Sequence, residues 1–143
     1  MRPRPITLSR TEREGLRELS PGKIYDYANY VLRGRSLEVE QLLTERDTDG
    51  EWMFKYAAHL ANERVPLFEK RLREMGPGNA WAIRYAALVA RTALPWVEAP
   101  GAKPSSAALA MYFYAIDVVK RRVPAFEPYL GKWTPYYWLH VPL

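Results

Sequence analysis

Apolar residues recur along this chain at helical spacing. Met53, Tyr56, Ala57, Leu60 and Ala61 stand at i, i+3, i+4, i+7 and i+8, the stripe that an amphipathic helix buries. Ile24, Tyr27, Ala28, Val31 and Leu32 repeat it 29 residues earlier. Ala82, Tyr85, Ala86, Val89 and Ala90 repeat it 29 later, and Met111, Tyr114, Ala115, Val118 and Val119 once more. Four helices at one period are predicted. In each, a small Ala beside a large Tyr lets neighbouring helices approach closely.

The period extends beyond the stripe. Thirteen residues after each Tyr comes a Glu: Glu40, Glu69, Glu98 and Glu127. Ten after the last three comes a Pro, at Pro66, Pro95 and Pro124, where the first copy has Leu37. The residue before a proline is pushed out of the α region, and proline suits the first turn of a new helix. Each Pro therefore predicts a corner and a second, shorter helix, with Val65, Phe68 and Leu72 on its buried side. The Glu falls in that helix's first turn, where the helix dipole favours negative charge. Asp47–Gly50, Gly76–Asn79 and Pro100–Ser106 read as loops, with Ser20, Asp49, Asn79 and Ser106 as N-caps.

The predicted fold is all-α: four tandem 29-residue units of helix, Pro corner and short helix, with periods 23–51, 52–80, 81–109 and 110–138. One such unit cannot bury its stripe alone. Stacking gives a small α-solenoid or a compact helical bundle, in a single domain. Residues 1–22 read as an arm and a capping helix, opened by the capping-box pattern Ser9 to Glu12. The repeats occupy 23–130. Residues 131–143 form an aromatic tail, which either covers the core of the fourth copy or docks on another molecule.

The pattern Tyr-Ala, Arg, Pro-x-x-Glu resembles a tandem repeat of hypothetical proteins in phages, other viruses and some bacteria, whose unit reads roughly "YA..V..GR.P..E". Tyr27-Ala28, Val31, Gly34-Arg35 and Glu40 are similar to it, as are Tyr56 to Glu69 and Tyr114 to Glu127. The third copy departs, with Ala93 in place of the Arg. The resemblance covers about residues 23–130. It implies a viral or mobile-element origin, and it implies no activity and no catalytic residues.

The chain has no cysteine, which excludes disulfides and thiolate chemistry. No apolar run approaches the ~20 residues of a membrane helix. The start lacks the apolar stretch of a signal peptide, so the expected location is cytoplasmic, in the host cell or a virion if the origin is viral. The formal charge is +5. Residues 23–102 carry equal numbers of acidic and basic side chains, so the surplus lies at the two ends. Arginine outnumbers lysine, which suits ion-pair networks or anion binding.

Candidate chemistry is sparse. Tyr27, Tyr56, Tyr85 and Tyr114 lie inside the apolar stripe and are expected in the core. The Glu column is expected to pair with Arg35, Arg64 or Arg122, or to accept from a Tyr hydroxyl or from free helix N–H groups. Catalysis needs one asymmetric constellation, whereas stacking needs the same bond in every copy. His59 and His140, the two histidines, show no metal-ligand or nucleophile spacing. Ser20-Pro21-Gly22-Lys23 lacks the further glycine and Lys-Ser/Thr pair of a phosphate loop. No catalytic, cofactor or metal residue is expected, and no enzyme activity. Lys120 and Arg121, with Lys103 and Lys132, form a candidate anion or nucleic-acid patch beside Trp133 and Tyr136. Trp133, Tyr136, Tyr137 and Trp138 in the tail, and Arg2 and Arg4 in the arm, are the candidate partner contacts, because aromatic and Arg side chains anchor interfaces. The functional expectation is a protein-interaction or assembly module, with nucleic-acid binding through the basic ends as the alternative. Neither a membrane nor a small-molecule substrate is indicated.

Overall fold

A computed structural model describes residues 4–76, 78–99 and 107–142. Among these, all regular structure is helical and there is no strand. The chain packs as two compact units, Met1–Arg71 and Leu72–Leu143.

In the first unit, α1 (Arg10–Arg17) carries the expected capping box. The Ser9 hydroxyl accepts from the Glu12 N–H at 3.1 Å, and the Glu12 carboxylate accepts from the Ser9 N–H at 3.0 Å. α2 (Pro21–Asp26) opens on a proline and runs straight into a π turn, Tyr27–Leu32. α3 (Leu37–Arg46) is capped by Ser36. α4 (Glu51–Tyr56) runs into a second π turn, Ala57–Ala61, and α5 (Pro66–Glu74) opens at the expected proline. Ile24, Ala28, Val39, Leu43, Met53, Tyr56, Ala57 and Phe68 form the core. Phe68 meets the Tyr56 ring edge-on at 5.6 Å. Gly22 lets α2 approach the indole of Trp52, since a Cβ there would lie 2.9 Å from a ring carbon.

Asp49 does not cap α4. The cap position is Gly50, at φ 98°, and the capping carboxylate is Asp47. Its Oδ2 accepts from the Trp52 and Met53 N–H groups, both at 2.9 Å, and its Oδ1 from Gly50 at 3.2 Å. Asp49 receives the Glu51 N–H at 2.9 Å. The earlier residue reaches more donors because the left-handed glycine folds the chain back over it.

In the second unit, α6 (Ala80–Tyr85) is capped by Asn79 as expected, with its Oδ1 accepting from Trp81 and Ala82. A π turn follows at Ala86–Ala90. α7 (Ala108–Phe113) and the π turn Tyr114–Val118 repeat the arrangement. α8 (Thr134–His140) closes the unit. Pro95 opens only a 3-10 turn, Pro95–Val97, and Pro124 a hydrogen-bonded turn at residues 124–126 before the 3-10 turn Glu127–Tyr129. Both corners meet another proline within five residues, at Pro100 and Pro128. A proline removes an N–H donor, clashes with the carbonyl four residues back and restricts the residue before it. α5 has no such proline and extends for nine residues. The N-cap expected at Ser106 lies outside the described residues.

Each first helix ends before its corner and widens as it does so: Arg33 N–H donates to Ala28 C=O, Arg91 to Ala86 and Val119 to Tyr114, each five residues back. Arg33, Asn62, Arg91 and Lys120 then take left-handed backbone, φ 51–55°, at 29-residue intervals. A residue with a Cβ pays roughly 1–2 kcal/mol for that conformation, which is offset by the packing that the redirected chain makes.

Candidate functional site

The most repeated side chains build one arrangement. In the first unit, the Tyr56 hydroxyl donates to Glu40 at 2.7 Å and accepts from the Ser36 N–H at 2.9 Å. Arg35 holds the same carboxylate with two bonds, at 2.8 and 2.9 Å. In the second unit, Tyr114 donates to Glu98 at 2.5 Å and accepts from the Leu94 N–H at 3.0 Å. Tyr137 donates to Glu127 at 2.5 Å and accepts from the Val123 N–H at 3.0 Å. Arg64 pairs with Glu69, and Arg122 with Glu127, each through two bonds. Burial pushes the Tyr56, Tyr114 and Tyr137 hydroxyls above the ordinary tyrosine range, and the neighbouring carboxylates add to it. The phenols stay neutral donors. The carboxylates that most resemble catalytic groups are engaged by internal partners.

The third copy shows how the arrangement survives a lost residue. Ala93 gives Glu98 no arginine of its own, and Arg121 from further along takes its place, with two bonds at 2.9 Å. Position 63 is the counterpart of 121, and there Glu63 pairs with Arg35. Glu63 is acidic where the first copy has Arg35, and Arg121 is basic where the third copy has Ala93. Arg121 was expected in an anion patch; its guanidinium is instead bonded to Glu98, the only cation paired with that carboxylate among the described residues.

The chain ends complete the pattern with residues outside the period. Tyr27 donates to Glu12 of α1 at 2.5 Å. Tyr137 stands 23 residues after Tyr114, where the period would reach Leu143. Tyr137 was expected at an interface; it is wholly buried, because α8 turns it and Val141 inward to receive the Val123 N–H and meet Glu127. The other face of α8 is open: Tyr136 is 53% exposed, Trp138 45% and Leu139 75%. On α1, by contrast, Leu16 is buried and Arg10, Arg13, Glu14 and Arg17 face solvent.

Three of the four tail aromatics thus reach the surface. Trp133 lies between Tyr112, stacked at 5.5 Å, and Tyr136 at 5.9 Å, with the Lys132 ammonium 5.6 Å from its centroid. Arg122 lies 4.9 Å over Trp138. Tyr112, which aligns at the 29-residue period with Tyr25, Phe54 and Ile83, was missed from the sequence. Lys120 is exposed at its left-handed corner. Arg4 is exposed, and the arm behind it is docked: the Ile6 N–H donates to the Arg35 carbonyl at 2.6 Å and Leu8 is buried. Arg2 and Lys103 lie outside the described residues. His59 and His140 are exposed, and no group of three metal-ligating side chains occurs among the described residues. No helix among them is long and apolar enough to cross a membrane.

No protein-family model matches the chain, and no curated protein or solved structure matches it either.

Proposed function

We propose that the chain is a non-catalytic helical scaffold that docks another protein on its C-terminal aromatic face. One observation carries this reading. The C-terminal cap turns Tyr136, Trp138 and Leu139 outward, whereas the N-terminal cap turns out charge. Terminal caps of helical repeats ordinarily present polar outer faces, and clustered exposed aromatics mark contact sites. The internal engagement of the Glu and Tyr residues supports a structural rather than a catalytic use.

The test replaces Trp138 and Leu139 with Ser. Both side chains are exposed, so the fold should persist. Partner capture, or self-association measured by light scattering, should be lost in this variant. A variant that keeps both at wild-type levels removes the reading.

A second reading is favoured by the ladder of Tyr112, Trp133 and Tyr136 with Lys132 beside it. Bases stack on such rings, and phosphate contacts make binding fall steeply with salt. Binding of a single-stranded oligonucleotide should then weaken along a salt series and vanish in Lys132→Ala/Tyr136→Ala. No binding at low salt excludes it.

A further inference from the structure

We propose that a cleft beside the N-terminal arm binds a small monoanion with an apolar body, in chemical class an aliphatic carboxylate. The cleft encloses about 630 Å³ within the first unit. That lies in the range that holds small ligands. Its walls come from three separate segments: the arm at Arg4 to Ile6, the corner at Arg33 to Arg35, and the helix end at Leu60 to Glu63.

The arm is a fixed wall. Its Ile6 N–H is bonded to the Arg35 carbonyl, and the Ile6 side chain rests where Gly34 has none. A Cβ on Gly34 would lie 3.0 Å from the Ile6 methyl, tight enough to push it away. The counterparts of Gly34 in the other copies are Glu63, Thr92 and Arg121. Only the first copy has a glycine at this position.

The charges define the ligand. Arg35 is clamped between Glu40 and Glu63. Arg33 donates its Nε to the Tyr30 carbonyl at 3.4 Å and, like Arg4, meets no carboxylate among the described residues. The walls carry three guanidiniums and the Glu63 carboxylate, and Glu40, bonded to Arg35 from outside the cleft lining, adds a second carboxylate, which leaves an excess of one positive charge. That balance suits a single negative charge better than a phosphate dianion. Guanidinium forks match a carboxylate, and Ile6, Leu60 and Ala61 offer apolar surface to a hydrocarbon chain. The site is independent of the C-terminal docking face.

The test is an amide-shift titration of the isotopically labelled full chain with octanoate, octanol and inorganic phosphate. Octanoate should move the amides of residues 6, 33–35 and 60–63. Arg4→Gln/Arg33→Gln should weaken it at least about tenfold, the loss expected for a charge-assisted hydrogen bond. Both residues are exposed, so the spectrum away from the cleft should not change. Octanol should bind at least about tenfold more weakly, and phosphate should leave these amides in place. The proposal is overturned if octanoate moves none of them, if octanol binds as well, if phosphate moves them equally, or if the double variant binds like the wild type.

Discussion

At one end of the chain, α1 gives Tyr27 the carboxylate of Glu12 and turns arginine and glutamate to solvent. At the other, α8 gives Glu127 the hydroxyl of Tyr137 and turns aromatic rings outward. Both ends imitate the bond that Tyr56 makes with Glu40 and Tyr114 with Glu98. They differ in depth and in outer surface. Tyr27 is partly exposed and accepts no backbone N–H among the described residues, whereas Tyr137 is fully buried and does. The inner face of a cap is thus set by what the neighbouring copy needs, while its outer face is free to differ. In α8 that freedom supplies the proposed docking surface.

The largest expected difference between the two ends is in stability. Tyr137→Ala removes a buried ring and should cost about 3–5 kcal/mol. Tyr27→Ala should cost about 1 kcal/mol or less, because its ring is partly exposed. Urea unfolding followed by tryptophan fluorescence checks this, since four of the five tryptophans lie in residues 72–143. Equal costs would erase the distinction between the caps.

Alkaline pH should separate them next. The Tyr27 hydroxyl is raised first by its bond to Glu12, and Tyr137 first by burial. A phenol whose folded pKa lies above its unfolded value binds its proton more tightly when folded. The stability it contributes is complete below the ordinary tyrosine range, near pH 10, and is lost as pH rises toward the folded value. Tyr56, Tyr114 and Tyr137 should ionise late in an ultraviolet titration, together with unfolding. If they titrate with the exposed tyrosines, the buried clasp is wrong.

A smaller effect contrasts the two units. Arg121→Glu sets two carboxylates together at Glu98 and should cost about 0.5–1 kcal/mol, a modest figure because Arg121 is half exposed. Adding Ala93→Arg rebuilds the arrangement of Arg35, Glu40 and Glu63 and should restore the loss. A double variant no more stable than Arg121→Glu alone would show that the charge exchange is incidental. The smallest stability change belongs to Leu139→Ser, within about 0.5 kcal/mol of wild type because its side chain is 75% exposed, although together with Trp138→Ser it should abolish partner binding.

Much of the helical plan was legible, because the stripe from Ile24 to Val119 recurs in register and each Tyr brings its Glu. The Arg35–Glu40, Arg64–Glu69 and Arg122–Glu127 pairs follow from spacing alone. The π turns did not show, since a stripe at i+3 and i+4 looks the same until the helix ends, and Arg33 and Lys120 are not residues that advertise a left-handed corner. Tyr137 was misplaced because the period points to position 143, and only tertiary contact reveals that a shortened corner brings another tyrosine into its place. The cleft drew on the arm, a corner and a helix end, segments that no sequence motif joins.

Amide hydrogen exchange at Val123 tests the central claim most directly, because that N–H is held by the hydroxyl of a residue outside the repeat. The account expects Ser36, Leu94 and Val123 to be protected in the wild type, and Tyr137→Phe to speed exchange at Val123 roughly tenfold while leaving Ser36 and Leu94 unchanged. A Val123 amide that exchanges like an open loop, or that ignores the loss of the hydroxyl, would contradict it.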